Sequence, residues 1–160
     1  MKWEERLEEL LPFYGHRNWI VVADFAYPAQ VSPGIETVLA EEDHAEIVQR
    51  VLQKVDQAPH LRALIWMDRE FEFVEEDLAP GINDFRSRLE QVLRGRRIER
   101  SNHIEILRML SEAAMNYRVF VIKTKLTLPY TSVFFELDCG YWTAEKEKTM
   151  RQRMMVGRAV

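Results

Sequence analysis

A chain of 160 residues with 47% hydrophobic and 30% charged side chains has the balance of a single soluble globular domain, not of a disordered or fibrous chain. Its formal charge of −4 at pH 7 supplies no general basic field for nucleic acid, and no apolar run approaches the ~20 residues that cross a bilayer. Cys139 is the only cysteine, so no intrachain disulfide can form, and the start of the chain is charged where a secretory signal would be apolar; both point to a reducing cytoplasm.

In chain order, Trp3, Leu7, Leu10 and Leu11 recur at helical spacing among glutamates, and Pro12 and Gly15 end that helix. Trp19 to Ala23 is an unbroken apolar run rich in β-branched residues, which reads as a strand buried on both faces and therefore covered by helices. Asp24 stands at its carboxyl end, where α/β sheets collect ligand sites, and His16 stands just before it. The stretch from Pro28 to Gly34 is a loop by composition. Residues 41–56 form a second amphipathic helix, with Ile47, Val48, Val51, Leu52 and Val55 inward. His44 opens it among Glu41, Glu42, Asp43 and Glu46. The carboxylates are contiguous and no second histidine stands at ligand spacing, so the segment reads as a solvated acidic first turn and not as a metal site.

Leu61 to Met67 is a second buried strand, followed by Asp68 in an echo of Asp24. Residues 69–78 suggest an irregular or edge segment, 80–94 a third helix, and Ile98 to Arg100 a short strand. Ser101 or Asn102 then caps a fourth helix reaching about residue 116. Val119–Ile122 and Val133–Leu137 are two more strands, joined by residues 124–132, and a charged helix over 143–155 closes the chain. Arg94, Arg96, Arg97 and Arg100 read as a solvated helix end complementing the helix dipole. Strands and helices alternate, which predicts one α/β domain over residues 1–160, a layered sheet of mostly parallel strands covered by helices.

No glycine-rich phosphate loop and no Gly-x-Ser-x-Gly elbow is present, and Cys139 has no neighbouring base in sequence. What remains for chemistry is polar residues at strand borders: His16, Asp24, His103 and Tyr130. Singly, each has an ordinary reading as a loop, cap or surface residue.

Together they resemble a known family. Gly15-His16, with Asp24 eight residues after the histidine and then Pro28, is similar to the opening of the D-ribose pyranase and L-fucose mutarotase family, where Gly-His precedes a strand ending in Asp-Ala-x-x-Pro. Val121-Ile122-Lys123-Thr124 followed by Pro129-Tyr130-Thr131-Ser132 resembles that family's closing strand and Thr-Gly-Glu-x-x-Pro-Tyr-Ala-Asn. Ile98 to His103 resembles the border where ribose pyranases carry histidine and fucose mutarotases arginine. The likeness spans about residues 3–139, leaving 141–160 as a C-terminal helical extension, more an interface or packing addition than part of the chemistry.

The resemblance implies that His16 is the catalytic acid/base, while Asp24, His103, Tyr130, Thr131 and Ser132 contact a monosaccharide. Arg108 is the alternative to His103 if helix length sets the alignment. It also implies cofactor-independent exchange of the anomers or ring forms of a reducing sugar, fucose- or ribose-like, in ring-shaped homo-oligomers (often decamers) with sites near subunit borders. Neither nucleic acid nor membrane is an expected partner, and no metal or cofactor is expected.

The chemistry fits an imidazole. The anomeric hydroxyl gives up one proton as the ring oxygen takes one, and a group titrating near neutrality serves both steps. Phe25, Lys125-Leu126 and Ser132 depart from the family pattern, and serine reaches less far than asparagine toward a sugar hydroxyl. A non-catalytic sugar-binding oligomer of the same fold is therefore the alternative, with another small-molecule isomerase in the same pocket a weaker third. A strand from Trp19 to Asp24 spans ~17 Å, so His16 and Asp24 meet only if residues 15–18 fold back or two subunits contribute.

Overall fold

The computed structural model describes residues 2–157; the last three residues of the C-terminal extension lie outside the described residues. Helix α1 (Trp3–Leu10) buries Trp3, Leu7 and Leu10 along one stripe, and Pro12 carries the chain into a 3-10 turn over Leu11–Phe13. Strand β1 (Trp19–Ala23) is buried at all five positions, as its uninterrupted apolar run requires. After it come β2 (Ile35–Leu39), α2 (His44–Gln57), β3 (Leu61–Asp68), α3 (Ile82–Val92), β4 (Ile98–Ser101), α4 (His103–Asn116), β5 (Val119–Lys123), β6 (Val133–Cys139) and α5 (Ala144–Met155).

The six strands form one sheet in the order β2-β5-β1-β6-β3-β4. β1 pairs parallel with β5, β5 with β2, and β3 with β4, whereas β6 runs antiparallel between β1 and β3. Five strands therefore share one direction. Their carboxyl ends, at Ala23, Leu39, Asp68, Ser101 and Lys123, share the rim on which β6 begins.

Alternation along β1 sorts the core into two layers. Ile20 and Val22 pack with α1, α2 and α3 on one face; Trp19, Val21 and Ala23 pack with Ile106, Leu110 and Ala114 of α4 on the other. Gly34 sits where a Cβ would lie 2.4 Å from the carbonyl oxygen of Ala114, so only glycine lets β2 enter beside the end of α4.

Three local features differ from the sequence-based expectations. β2 lies where no strand was expected: it is an edge strand with a half-exposed pattern, so its apolar signal is diluted by Glu36 and Thr37. Of the irregular or edge segment expected at 69–78, residues 69–73 form a 3-10 turn and pair with no strand. His44 is buried and not solvated, although Glu41, Asp43 and Glu46 around it are exposed and Asp43 caps α2 by accepting the Glu46 N–H at 3.1 Å. Three of the four arginines in the basic cluster form ion pairs: Arg96 with Asp56, Arg97 with Glu99 and Arg100 with Glu72. Helix α5 buries no residue; Thr143 caps it, and Trp142 and Arg151 both bond to Glu147. No described helix is long and apolar enough to cross a membrane.

Candidate active site

At the carboxyl rim the chain leaves β1 through Asp24 and crosses to the segment joining β5 to β6, where Phe25 N–H donates to the Leu126 carbonyl at 2.8 Å. Ser132, just before β6, receives the Asp24 backbone N–H at 3.1 Å and donates its hydroxyl to Asp24 Oδ1 at 2.7 Å. Those two contacts fix the Asp24 carboxylate at the mouth of a cavity of about 520 Å³, a size usual for small-molecule sites. Tyr27, Pro28, Asp68, His103 and Tyr130 also line it.

Asp68 ends β3 with its side chain essentially sealed from solvent. Its Oδ2 lies 2.9 Å from His103 Nδ1, while its Oδ1 is buried without a hydrogen-bond partner among the described residues. Burial pushes the Asp68 carboxyl up to about 6, against the pull of the His103 ring. His103 is the first residue of α4. The Asn102 side chain makes no cap, and the Glu70 carboxylate takes that role, accepting the His103 backbone N–H at 3.0 and 3.1 Å. A carboxylate accepting from Nδ1 selects the Nδ1–H tautomer and leaves Nε2 as the lone-pair nitrogen.

Tyr130 stacks edge-on against the His103 ring at 5.6 Å between centroids. It holds a left-handed backbone with φ 57°, one of two non-glycine residues with positive φ among those described. Behind it, Thr131 and Ser132 are buried, and neither lines the cavity. The Thr131 hydroxyl donates to the Leu128 carbonyl at 2.7 Å. The Thr131 carbonyl accepts from His44 Nε2 at 2.9 Å, and His44 Nδ1 accepts from the Thr124 hydroxyl at 2.8 Å. His44 therefore clamps both ends of the segment that carries Tyr130, and burial keeps the imidazole neutral, its pKa lowered to about 4.

His16 is at the other end of the sheet. The turn before β1 closes through Asn18 N–H to the Gly15 carbonyl at 3.1 Å and Gly15 N–H to Asn18 Oδ1 at 2.7 Å, and Arg17 N–H joins β6 at the Leu137 carbonyl at 3.0 Å. His16 Nδ1 meets Asp138 Oδ1 at 2.7 Å, with Arg62 on the other carboxylate oxygen. This half-open hollow of about 590 Å³ is also lined by Tyr141, Trp142 and Glu147. Residues 15–18 thus do not fold back, and one chain does not bring His16 to Asp24. Arg108 points to the exposed side of α4 and pairs with Glu105, away from the cavity.

The structure thus gathers Asp24, His103 and Tyr130, sets Thr131 and Ser132 behind them, and leaves His16 at the opposite rim. Sequence reasoning missed three contributors. Asp68 was visible as a strand-end carboxylate, but its partnership with a histidine 35 residues on was not. Glu70 and His44 carried no signal separating them from ordinary helix-end residues.

A scan against models of protein families matches none, and a search of curated proteins finds no match. Solved structures do match. RbsD of Bacillus subtilis, complexed with D-ribose, shares 18% identity over 83% of this chain and 91% of its own, with a TM-score of 0.54. FucU from Bifidobacterium longum shares 16% over 84% and 94%, with a TM-score of 0.52. The fucose mutarotase of Streptococcus pneumoniae, in complex with L-fucose, shares 18% over 83% and 91%, with a TM-score of 0.53. The chain has the fold of these proteins.

Proposed function

We propose that this protein is a cofactor-independent, cytoplasmic monosaccharide mutarotase or pyranase, exchanging the anomers or ring forms of a fucose- or ribose-like aldose. One observation carries the reading: a carboxylate, an imidazole and a phenol (Asp24, His103 and Tyr130) line one sugar-sized cavity at the carboxyl rim of a fold that the ribose- and fucose-bound structures share. A cavity with apolar walls and a few oriented polar groups suits a sugar, whose hydroxyls pair with carboxylates while its C–H faces lie on rings. Ring opening needs a base on the anomeric hydroxyl and an acid at the ring oxygen.

In this reading His16 supplies one of those proton positions from a neighbouring subunit of a homo-oligomer, because its own chain holds it at the far rim beside Asp138. Thr131 and Ser132 act from behind, Ser132 by holding Asp24 and Thr131 by anchoring the Tyr130 segment.

The test is saturation transfer between anomers, by NMR, for fucose, ribose and related aldoses, with His16→Ala as control. Faster exchange that the substitution abolishes supports the enzyme. A second reading, a sugar-binding oligomer without catalysis, is favoured by one feature: the Ser132 hydroxyl is already committed to Asp24 and cannot reach a sugar. Line broadening or thermal stabilisation by sugar without faster exchange establishes that reading instead.

A further inference from the structure

We propose that Asp68 and His103 form the site's own acid/base pair, His103 as a catalytic residue and Asp68 as the residue that positions it. The inference rests on the mutarotase reading and adds a proton-transferring group contributed by the same chain as the cavity. Three observations carry it. Asp68 Oδ2 accepts from His103 Nδ1 at 2.9 Å, which turns Nε2 into the nitrogen able to take a proton. No other protein group among those described bonds to the His103 side chain, whose ring lines the cavity. Asp68 is buried with one oxygen lacking any donor, an arrangement that weakens a fold and is kept where it serves a site.

In ring opening, His103 Nε2 takes the proton of the anomeric hydroxyl. The O–H electrons form the carbonyl, the bond from the anomeric carbon to the ring oxygen breaks, and its pair stays on that oxygen, which accepts a proton from the second acid. Closure on the other face of the carbonyl reverses each transfer, so no oxidant, reductant or co-reactant is consumed. The groups facing the pair are Asp24 from the end of β1, Glu70 from the turn after β3, Tyr27 from the loop after β1 and Tyr130 from the segment before β6. The charged groups nearest the pair are thus carboxylates.

The experiment compares the full chain with Asp68→Asn, which keeps the shape of the side chain and removes its charge. Turnover of the sugar that the wild type exchanges falls by about 10² or more while KM stays within a few-fold, as expected for loss of general-base assistance. The wild-type profile declines on the acid side near pH 6, where the Asp68–His103 pair takes up a proton, and Asp68→Asn displaces that limb. A measurement on the wild type guards against a variant that fails to fold: with four histidines in the chain, 15N-labelled imidazoles are separable by NMR, and neutral His103 shows the Nδ1–H tautomer. An Nε2–H tautomer, or undiminished turnover in Asp68→Asn, overturns the pair and leaves the mutarotase reading standing. A wild type that accelerates no sugar overturns both.

Discussion

His44 Nε2 donates to the carbonyl oxygen of Thr131 at 2.9 Å, so a helix beneath the sheet holds the residue next to Tyr130. Burial disfavours the charged imidazole of His44 and the charged carboxylate of Asp68, so the two respond to acid in opposite senses. With the His44 pKa lowered to about 4, the unfolded chain binds the extra proton between about pH 6.5 and 4, and stability falls on acidification. With Asp68 raised to about 6, the folded chain binds the extra proton between about pH 6 and 4, and stability rises on acidification. Urea titrations at stepped pH separate the two. Asp68→Asn is more stable than wild type at pH 7–8, by on the order of 1–3 kcal/mol, and the gain vanishes near pH 4. His44→Gln is less stable at neutral pH, and its deficit shrinks as pH falls toward 4. Curves parallel to wild type would refute both assignments.

Tyr130 occupies a left-handed backbone that a bulky side chain adopts at a cost of about 1–3 kcal/mol. Tyr130→Gly relieves that strain and deletes the ring stacked on His103. The variant therefore melts within a few degrees of wild type, yet sugar exchange drops at least tenfold. Loss of stability and activity together would mark Tyr130 as a packing residue.

Gly34→Ala forces a methyl to 2.4 Å from the Ala114 carbonyl and 2.9 Å from that of Tyr117, both backbone atoms that cannot swing aside. Overpacking of this kind costs about 1–3 kcal/mol. Denaturant midpoints measure the loss, and hydrogen exchange places it in β2 and the end of α4. An unchanged midpoint contradicts the close approach.

Deleting residues 144–160 removes a helix with no buried side chain. The shortened chain keeps its unfolding free energy within ~0.5 kcal/mol, as for other changes on a solvated surface. Sedimentation of the same preparation tells whether Met154 and Met155, both exposed, serve contacts between copies.

Much of this was legible because it depends on local pattern. The apolar run of β1, the stripe of α2 and the strand-end position of Asp24 are dictated by neighbours in sequence. The reversed direction of β6 was not legible, since Val133 to Leu137 read the same in either orientation and only pairing with β1 and β3 fixes it. Asp68 and His103 needed the sheet order before their contact could be seen. His44 looked like part of an acidic turn because burial depends on what packs over that turn, here Phe85 of α3 at 5.5 Å.

The reversed strand also separates the chemistry in a way that genetics can use. Ser132, just before β6, touches the Asp24 rim and Asp138, within β6, the His16 rim, so the two halves of the proposed machinery never share a cavity within one polypeptide. If His16 and Asp24 of neighbouring subunits act together as proposed, His16→Ala and Asp24→Asn are each inert alone and, coexpressed in equal amounts, restore anomer exchange measured by NMR. With random mixing in a symmetric assembly, about a quarter of the cavities receive both intact side chains.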